Sequence, residues 1–139
     1  MPDLAYEDIK TGDDASLSVT ITESHIVLYA GITGDVNPVH VDAEHAKDSV
    51  FGERIAHGML VGGLISAVLG TKLPGPNSVY LGQELRFTAP VKIGDTVTVV
   101  VTVTEKRDDK RIIKLHTTVS NQRGEVVIDG TAVIKKLGR

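Results

Sequence analysis

The apolar segment IAHGMLVGGLISAVLG, residues 55–70, constrains the fold more than any other part of the chain. Between Met59 and Leu69 it contains no charged residue, and Ser66 is its only hydroxyl-bearing residue. A helix that is apolar on every side is normally buried on every side, because a surface helix shows a polar face. The segment is also shorter than the roughly 20 apolar residues of a membrane-spanning helix. We therefore expect a central helix enclosed by a sheet.

Small residues recur at every fourth position of this segment, at Gly58, Gly62, Ser66 and Gly70. On a helix these residues stack along one face and form a ridge of small side chains. Glycine allows a neighbouring element to approach closely. The ridge is therefore explained either by plain packing of the helix on a sheet or by a ligand channel that follows it.

Length and composition limit the classes of protein to which the chain can belong. Its 139 residues predict one domain, residues 1–139. A net charge of -3 without a basic cluster argues against nucleic-acid binding. With no cysteine, the chain has neither a disulfide framework nor a thiolate nucleophile. The N-terminal residues MPDLAYEDIK lack the apolar core of a signal peptide, so we expect a cytoplasmic protein that does not enter a membrane.

The chain before the central segment predicts short elements. Alternation predicts a strand over Leu17–Thr22, and a capping hydroxyl at Thr22 or Ser24 predicts a helix over His25–Ala30 that ends at Gly31. Residues 32–40 are rich in Gly, Asn and Pro, which is typical of irregular structure. A second short helix, AEHAK, is expected after Asp42, and residues 50–54 are expected to form a loop.

Strands dominate the chain after the break at PGPN, residues 74–77. Alternation and polar turns predict four strands, over residues 78–90 with a bend near Gly82, 96–105, 111–120 and 125–136. Helices first and an antiparallel meander afterwards predict an α+β fold with one sheet curled around the long helix. Because such a sheet has unpaired edges, we expect a homodimer that joins two sheets.

Asp35 and His40 form the strongest candidate site, in the segment GDVNPVH. On a strand they would lie about 16 Å apart at roughly 3.3 Å per residue, and on a helix about 140° apart. A turn would bring them together, and Asn37-Pro38 is turn chemistry. A carboxylate and an imidazole at one point suit acid–base chemistry on a bound water. Taken singly, Asp35 is better explained as a turn or helix-cap aspartate and His40 as a hydrogen-bonded loop histidine, but the two together on one turn favour a site.

Gly58 and Ser66 are weaker candidates. The amide of Gly58 opens the helix without an intrahelical partner, so it can stabilise a developing negative charge, although a glycine that eases the loop into the helix is the simpler explanation. Ser66 lies about 12 Å further along the axis and has no base at a recognisable spacing, so we reject a serine nucleophile. His25, His45, His57 and His116 are interpreted as surface or structural residues.

Three segments resemble the hydratase-2 family of MaoC-like, (R)-specific enoyl-CoA hydratases. They are YAGITGDVNPVHVDAEHA at residues 29–46, AHGML at 56–60 and YLGQELRFTAPVKIGD at 80–95. The likeness is greatest to the short PhaJ type from polyhydroxyalkanoate-producing bacteria. It implies a hot-dog fold, a homodimer or a multimer of dimers, and reversible syn hydration of trans-2-enoyl-CoA to (R)-3-hydroxyacyl-CoA. The resemblance further implies that no metal or cofactor is needed, with CoA as part of the substrate.

The resemblance also implies roles for single residues. Asp35 would activate the water as the base, and His40 would protonate the α-carbon as the acid. The Gly58 amide would bind the thioester oxygen, and Ser66 would support the site. The substrate-binding candidates are Asn37, Gly62, Gln83 and Arg86, the last two as contacts to CoA within the chain or across the dimer.

Other functions remain open at this point. A dehydratase that acts on acyl-carrier-protein thioesters would use the same residues in reverse. A thioesterase is less consistent with the Asp-x-Asn-Pro-x-His core. A non-catalytic acyl-CoA-binding module would have no use for an acid–base pair.

Overall fold

The computed structural model describes residues 1–138, and its centre is one five-stranded antiparallel sheet. The order of the strands in the sheet is β1-β3-β4-β5-β2, so β1 and β2 form its two edges. The strands are β1 (Asp14–Thr20), β2 (Ser78–Phe87), β3 (Thr96–Arg107), β4 (Ile112–Ser120) and β5 (Val126–Lys136). The helices are α1 (Glu23–Thr33), α2 (Pro38–Val41), α3 (Ala43–Lys47) and α4 (Gly58–Thr71).

The long helix α4 packs against one face of this sheet. Strand β3 shows why: its alternate residues Val97, Val99, Val101 and Val103 are buried, because successive side chains of a strand point to opposite faces. These valines join α4 residues such as Ile65 in one apolar core. The predicted α+β, hot-dog architecture of a curved sheet around one long helix is confirmed.

The prediction that α4 is buried on every side is wrong for the single chain. Val61, Ile65 and Val68 are buried, but Ser66 is exposed, and residue Met59 is 57% exposed. The sheet covers one side of the helix, and among residues 1–138 the opposite side is left exposed. No helix within residues 1–138 is long and apolar enough to span a membrane.

The ridge of small residues packs against strand β2. A Cβ atom placed on Gly58 would lie 2.9 Å from two atoms of the Phe87 ring, and one on Gly62 would lie 3.1 Å from a methyl of Leu85. The packing interpretation therefore holds for these two glycines. It does not extend to Gly70, where an added Cβ would meet nothing within 4 Å.

Several element boundaries differ from the sequence predictions. Strand β1 begins at Asp14, three residues before the predicted start at Leu17, because alternation alone does not mark where pairing with β3 begins. Helix α1 continues past Gly31 and ends at Gly34, which adopts the left-handed conformation at φ 80°. The irregular region predicted for residues 32–40 contains the end of α1 and the start of α2.

The central helix begins at Gly58, as predicted, and Ile55 at the start of the apolar segment forms a β-bridge with Lys92. Other predictions are confirmed. Asp42 caps α3, residues 50–54 form a loop, and β2 has a register shift between Tyr80 and Gly82.

Candidate active site

Asp35 lies on the exposed loop between α1 and α2. The loop begins at the left-handed Gly34, which ends α1 and turns the chain. The Asp35 amide donates to the Thr33 hydroxyl at 3.1 Å, and its carboxylate accepts the Asn37 amide at 3.2 Å. An aspartate bonded to the amide two residues on stabilises a turn. One carboxylate oxygen is therefore used by the loop, and the other is available to a ligand.

Asn37 has a local structural role. Its side-chain oxygen accepts the Val39 amide at 3.2 Å and caps α2, and Pro38 occupies the first helical position. Asn37 does not line the cavity described below, so its predicted substrate contact lacks geometric support in this chain.

His40 is buried at the middle of α2, with 9% of its surface exposed. Its Nδ1 lies 2.8 Å from the carbonyl oxygen of Ile55. A carbonyl only accepts hydrogen bonds, so Nδ1 carries the proton and Nε2 is the nitrogen left free in the neutral ring. Arg54 donates to the backbone oxygen of His40 at 2.6 Å and pairs with Glu23, which fixes the backbone of α2 to the start of α1.

His57 completes a cluster that the sequence analysis did not identify. It is only 2% exposed, and its Nε2 donates to the backbone oxygen of Asp35 at 2.9 Å. Its ring stacks on His40 with centroids 3.9 Å apart and lies 4.6 Å from the Tyr29 ring. The interpretation of His57 as structural holds, but the residue also belongs to the site. The sequence feature that could have indicated this role is the position of His57 directly before Gly58, the predicted first residue of the helix.

The turn brings the predicted pair together. One ligand atom from each of Asp35, His40 and His57 lies within 4.8 Å of the other two. All three line a cavity of about 580 Å³ whose remaining walls are mostly apolar, with Phe51, Phe87 and Val127 among them. A charged and polar cluster in an apolar cleft is the arrangement expected of a small-molecule site.

Within residues 1–138, the ligand atoms of these three side chains are close enough together for a metal ion to be considered. Two imidazoles and one carboxylate are suitable ligands for a transition metal. In its neutral form each imidazole uses one nitrogen to donate to a backbone carbonyl, His40 to that of Ile55 and His57 to that of Asp35. One nitrogen of each ring is then left to bind a ligand.

Gly58 lies at the wall of this cavity and at the start of α4. Its amide is one of the first in the helix and has no intrahelical acceptor. The partial positive charge of the helix N-terminus adds to it. The Phe87 ring packs against Gly58 from the strand side, so a larger residue at position 58 would have to displace it.

Ser66 and Gln83 line a second cavity of about 360 Å³, together with Gly62 and Tyr80. Ser66 is thus separated from Asp35 and His40 within the chain. The Gln83 amide is already engaged, since its Nε2 donates to the buried Thr117 hydroxyl at 2.9 Å and its Oε1 accepts from the Tyr80 hydroxyl. Partial burial raises the pKa of Tyr80 and favours this donor form.

Arg86 lines neither cavity. Leu85 and Phe87 point to α4, so the intervening Arg86 points to the opposite face of the sheet. There it is 74% exposed and pairs with Glu84 at 3.3 Å. The predicted contact of Arg86 with CoA is not supported by the geometry of the single chain.

The chain is similar to known proteins over most of its length. Residues 6–124 match the family model described as MaoC like domain. The chain is 54% identical to an "(R)-specific enoyl-CoA hydratase" of Rhodospirillum rubrum over 93% of this chain and 89% of the relative. It is 48% identical to a "3-hydroxybutyryl-CoA dehydratase" of Methylorubrum extorquens, over 95% of this chain and 83% of that protein.

A solved structure supports the fold as well as the sequence likeness. The unliganded R-hydratase PhaJ1 of Pseudomonas aeruginosa superposes with a TM-score of 0.92 at 47% identity. The match covers 96% of this chain and 86% of that one.

Proposed function

Because the chain belongs to the MaoC-like domain family, we propose that it is an (R)-specific enoyl-CoA hydratase. Such an enzyme adds water reversibly to a trans-2-enoyl-CoA and gives an (R)-3-hydroxyacyl-CoA. The observation that carries the proposal is the convergence of Asp35 and His40 in one apolar cavity, within 4.8 Å of each other. Two relatives, 54% and 48% identical to the chain, are named for this reaction and for its reverse.

The proposed reaction begins with a water held between the two groups. The free oxygen of the Asp35 carboxylate takes a proton from the water as its oxygen bonds to the β-carbon of the substrate. The π electrons move to the thioester oxygen and form an enolate. His40 then gives a proton to the α-carbon on the same face, so that H and OH add syn.

The hydrogen bond of His40 adds a condition to this assignment. In the neutral ring the proton lies on Nδ1 and is donated to the Ile55 carbonyl, so Nε2 has no proton to give. His40 therefore acts as the acid only as an imidazolium, with the second proton on Nε2. After that transfer the neutral form remains, and the proton on Asp35 returns to His40 through solvent.

The enolate oxygen is assigned to the amide of Gly58. Its position at the start of α4 and at the cavity wall supports this role. One such donor in a water-poor site is worth about 2.7–4 kcal/mol of transition-state stabilisation. The hydration brings no net oxidation or reduction of the substrate, and we assign it no resident cofactor.

Of the remaining candidates, Gly62 and Ser66 are assigned to a second cavity beside the substrate site. Gln83 supports the wall of that cavity through Thr117 and Tyr80 rather than binding CoA directly. We assign no substrate contact to Asn37 or to Arg86.

The proposed working unit is a homodimer formed through β2 and the uncovered side of α4. Strand β2 is an unpaired edge, and it exposes 40% of Val79, 41% of Tyr80 and 50% of Leu81. Met59 extends the same apolar surface on the helix. A second copy would cover this surface and enclose the Ser66 cavity. A cytoplasmic location stays a prediction of the sequence.

Loss of the enoyl-thioester absorbance of crotonyl-CoA, followed by chiral analysis of the product, tests the proposal. We expect rapid loss, an (R)-alcohol, and near abolition by Asp35→Asn. The same acyl group on a carrier protein separates the two thioester classes: a preference for the carrier-bound form would identify a carrier-protein dehydratase. Binding without turnover of either would identify a non-catalytic module.

A further inference from the structure

We propose that His57 is a positioning residue that holds Asp35 and His40 in their reactive arrangement at the start of α4. The inference rests on the hydratase function proposed above. His57 touches both members of the pair, one through a hydrogen bond and the other through its ring. Each contact has a separate physical effect.

The hydrogen bond from His57 anchors the loop that carries Asp35. Asp35 is exposed, and within residues 1–138 its amide and carboxylate bond to Thr33 and Asn37 of the same short segment. Among the hydrogen bonds of residues 1–138, the one from His57 Nε2 to the Asp35 carbonyl oxygen, at 2.9 Å, ties this residue to the rest of the fold. Without it the carboxylate would keep its local turn but lose its fixed distance from His40.

The ring of His57 fixes the plane of His40. The hydrogen bond from His40 Nδ1 to Ile55 holds one atom of the ring, which leaves rotation of the ring plane about that contact. The His57 ring stacks on it with centroids 3.9 Å apart and 29° between the planes. Stacking at this distance restrains the tilt of the imidazole and hence the direction of Nε2.

An orphan nitrogen indicates that His57 is more than a filler of the core. Because its Nε2 carries the proton donated to the Asp35 carbonyl, Nδ1 is an acceptor, and this buried atom has no hydrogen-bond partner among residues 1–138. A buried polar atom without a partner destabilises the fold, and an apolar ring would avoid that penalty. An apolar ring would, however, lack the Nε2–H that donates to the Asp35 carbonyl oxygen, and we take this bond as the reason for a histidine here.

The unpaired Nδ1 also indicates that His57 positions the reactive pair and does not itself transfer a proton. A second proton on Nδ1 would create a buried charge with no acceptor beside it and a stacked imidazole above it. We therefore assign the proton transfers to Asp35 and His40 alone. His57 also precedes Gly58 directly, so its backbone joins the pair to the amide assigned to the enolate oxygen.

Two substitutions separate the two contacts. His57→Phe keeps a ring against His40 but removes the N–H, whereas His57→Gln places an N–H donor near the position of Nε2 but removes the ring. We expect kcat to fall by about 10- to 100-fold in each, with KM changed less than about threefold, because a misplaced catalytic group costs rate rather than binding. His116→Phe, at an exposed position of β4 on the outer face of the sheet, is the matched control and should retain wild-type kcat.

A double substitution distinguishes positioning from a general loss of structure. In the Asp35→Asn background, His57→Phe should lower kcat by less than about twofold further, because residues that act as one unit are non-additive. The same 10- to 100-fold loss in both backgrounds, or wild-type kcat in both single variants, would overturn the inference. If the phenylalanine variant lacks a cooperative melt, the glutamine variant carries the test alone.

The wild-type assay keeps this inference distinct from the proposed function. Absence of turnover with both CoA and carrier-protein thioesters would refute the hydratase proposal and the role of His57 in it. Normal wild-type turnover with unchanged His57 variants would refute the positioning role and leave the hydratase proposal intact.

Discussion

The imidazole rings of His40 and His57 stack with centroids 3.9 Å apart. The contact joins α2, which follows the Asp35 loop, to the residue that precedes the long helix α4. The reactive pair, the enolate-binding amide and the helix that supports them therefore meet at one point of the fold. Changes at this point should alter rate and stability in different proportions.

Asp35→Asn should lower kcat by about 10²- to 10⁴-fold, the usual contribution of a general base. The exposed asparagine keeps a side-chain oxygen for the Asn37 amide, so the free energy of unfolding should change by less than about 0.5 kcal/mol. Steady-state kinetics and urea unfolding measure the two quantities. Asp14→Asn, an exposed carboxylate on β1, is the control. A large loss of stability in Asp35→Asn would instead mark the carboxylate as structural.

His40→Asn and His40→Ala should both remove most activity but differ in stability. The asparagine amide reproduces the Nδ1 donor to the Ile55 carbonyl and lacks Nε2, whereas alanine leaves that carbonyl without its donor. We expect the alanine variant to be less stable by about 1–3 kcal/mol. Wild-type turnover in His40→Asn would contradict the acid role of Nε2.

Local patterns predicted most of the fold. Alternation over residues 96–105 identified β3, and Asn37-Pro38 identified the turn that brings Asp35 near His40. Such signals reside in neighbouring residues, so one sequence is enough to find them. The polar turns after β3 and β4 similarly fixed the order of the meander.

Long-range contacts were not predictable in the same way. The stacking of His57 on His40 depends on how a loop and a helix meet, and nothing in the periodicity encodes it. The composition of α4 predicted burial on all sides, because a pattern of apolar residues does not tell whether the same chain or a second copy covers them. Spacing along the helix separates Ser66 from Gly58, but it does not show that the two residues line different cavities.

Gly58→Ala should destabilise the fold through a clash that a second substitution relieves. The added Cβ would lie 2.9 Å from the Phe87 ring, so strand or ring must shift at a cost of about 1–3 kcal/mol. Phe87→Leu removes the ring, and the double variant should recover part of the lost stability in thermal unfolding. Additive losses would show that the alanine clashes elsewhere. Gly63→Ala, where an added Cβ meets nothing within 4 Å, is the control.

Tyr6 should make the fold sensitive to high pH. Burial, together with the hydrogen bond to Asp108 and its charge, raises the pKa of the Tyr6 hydroxyl from 10.0 to about 12. The folded state therefore keeps the neutral phenol where the unfolded state ionises. This stabilisation is complete below pH 10 and is lost as the pH rises from about 10 through about 12.

The comparison of Tyr6→Phe with the wild type isolates this effect. The variant lacks the ionisable group, so its free energy of unfolding should fall less steeply above about pH 10. Urea unfolding at a series of alkaline pH values measures the difference, and the deprotonation of lysines is common to both proteins. Parallel pH dependences would show that Tyr6 does not contribute to the alkaline loss.

Leu81→Lys should break the proposed homodimer. The two sheet edges differ in chemistry: β2 exposes Val79, Tyr80 and Leu81, whereas the exposed residues of β1 include Ser18 and Thr20. A lysine in an apolar interface between β2 edges must be desolvated without a partner, and edge lysines also prevent strand pairing.

Sedimentation velocity measures the assembly directly. We expect the wild type at twice the mass of one chain, Leu81→Lys at the mass of one chain, and the control Ser18→Lys, on the β1 edge, unchanged from the wild type. Since the same surface borders the Ser66 cavity, Leu81→Lys should also lose activity. A monomeric wild type, or a dimer that survives Leu81→Lys but not Ser18→Lys, would show that β2 is not the interface.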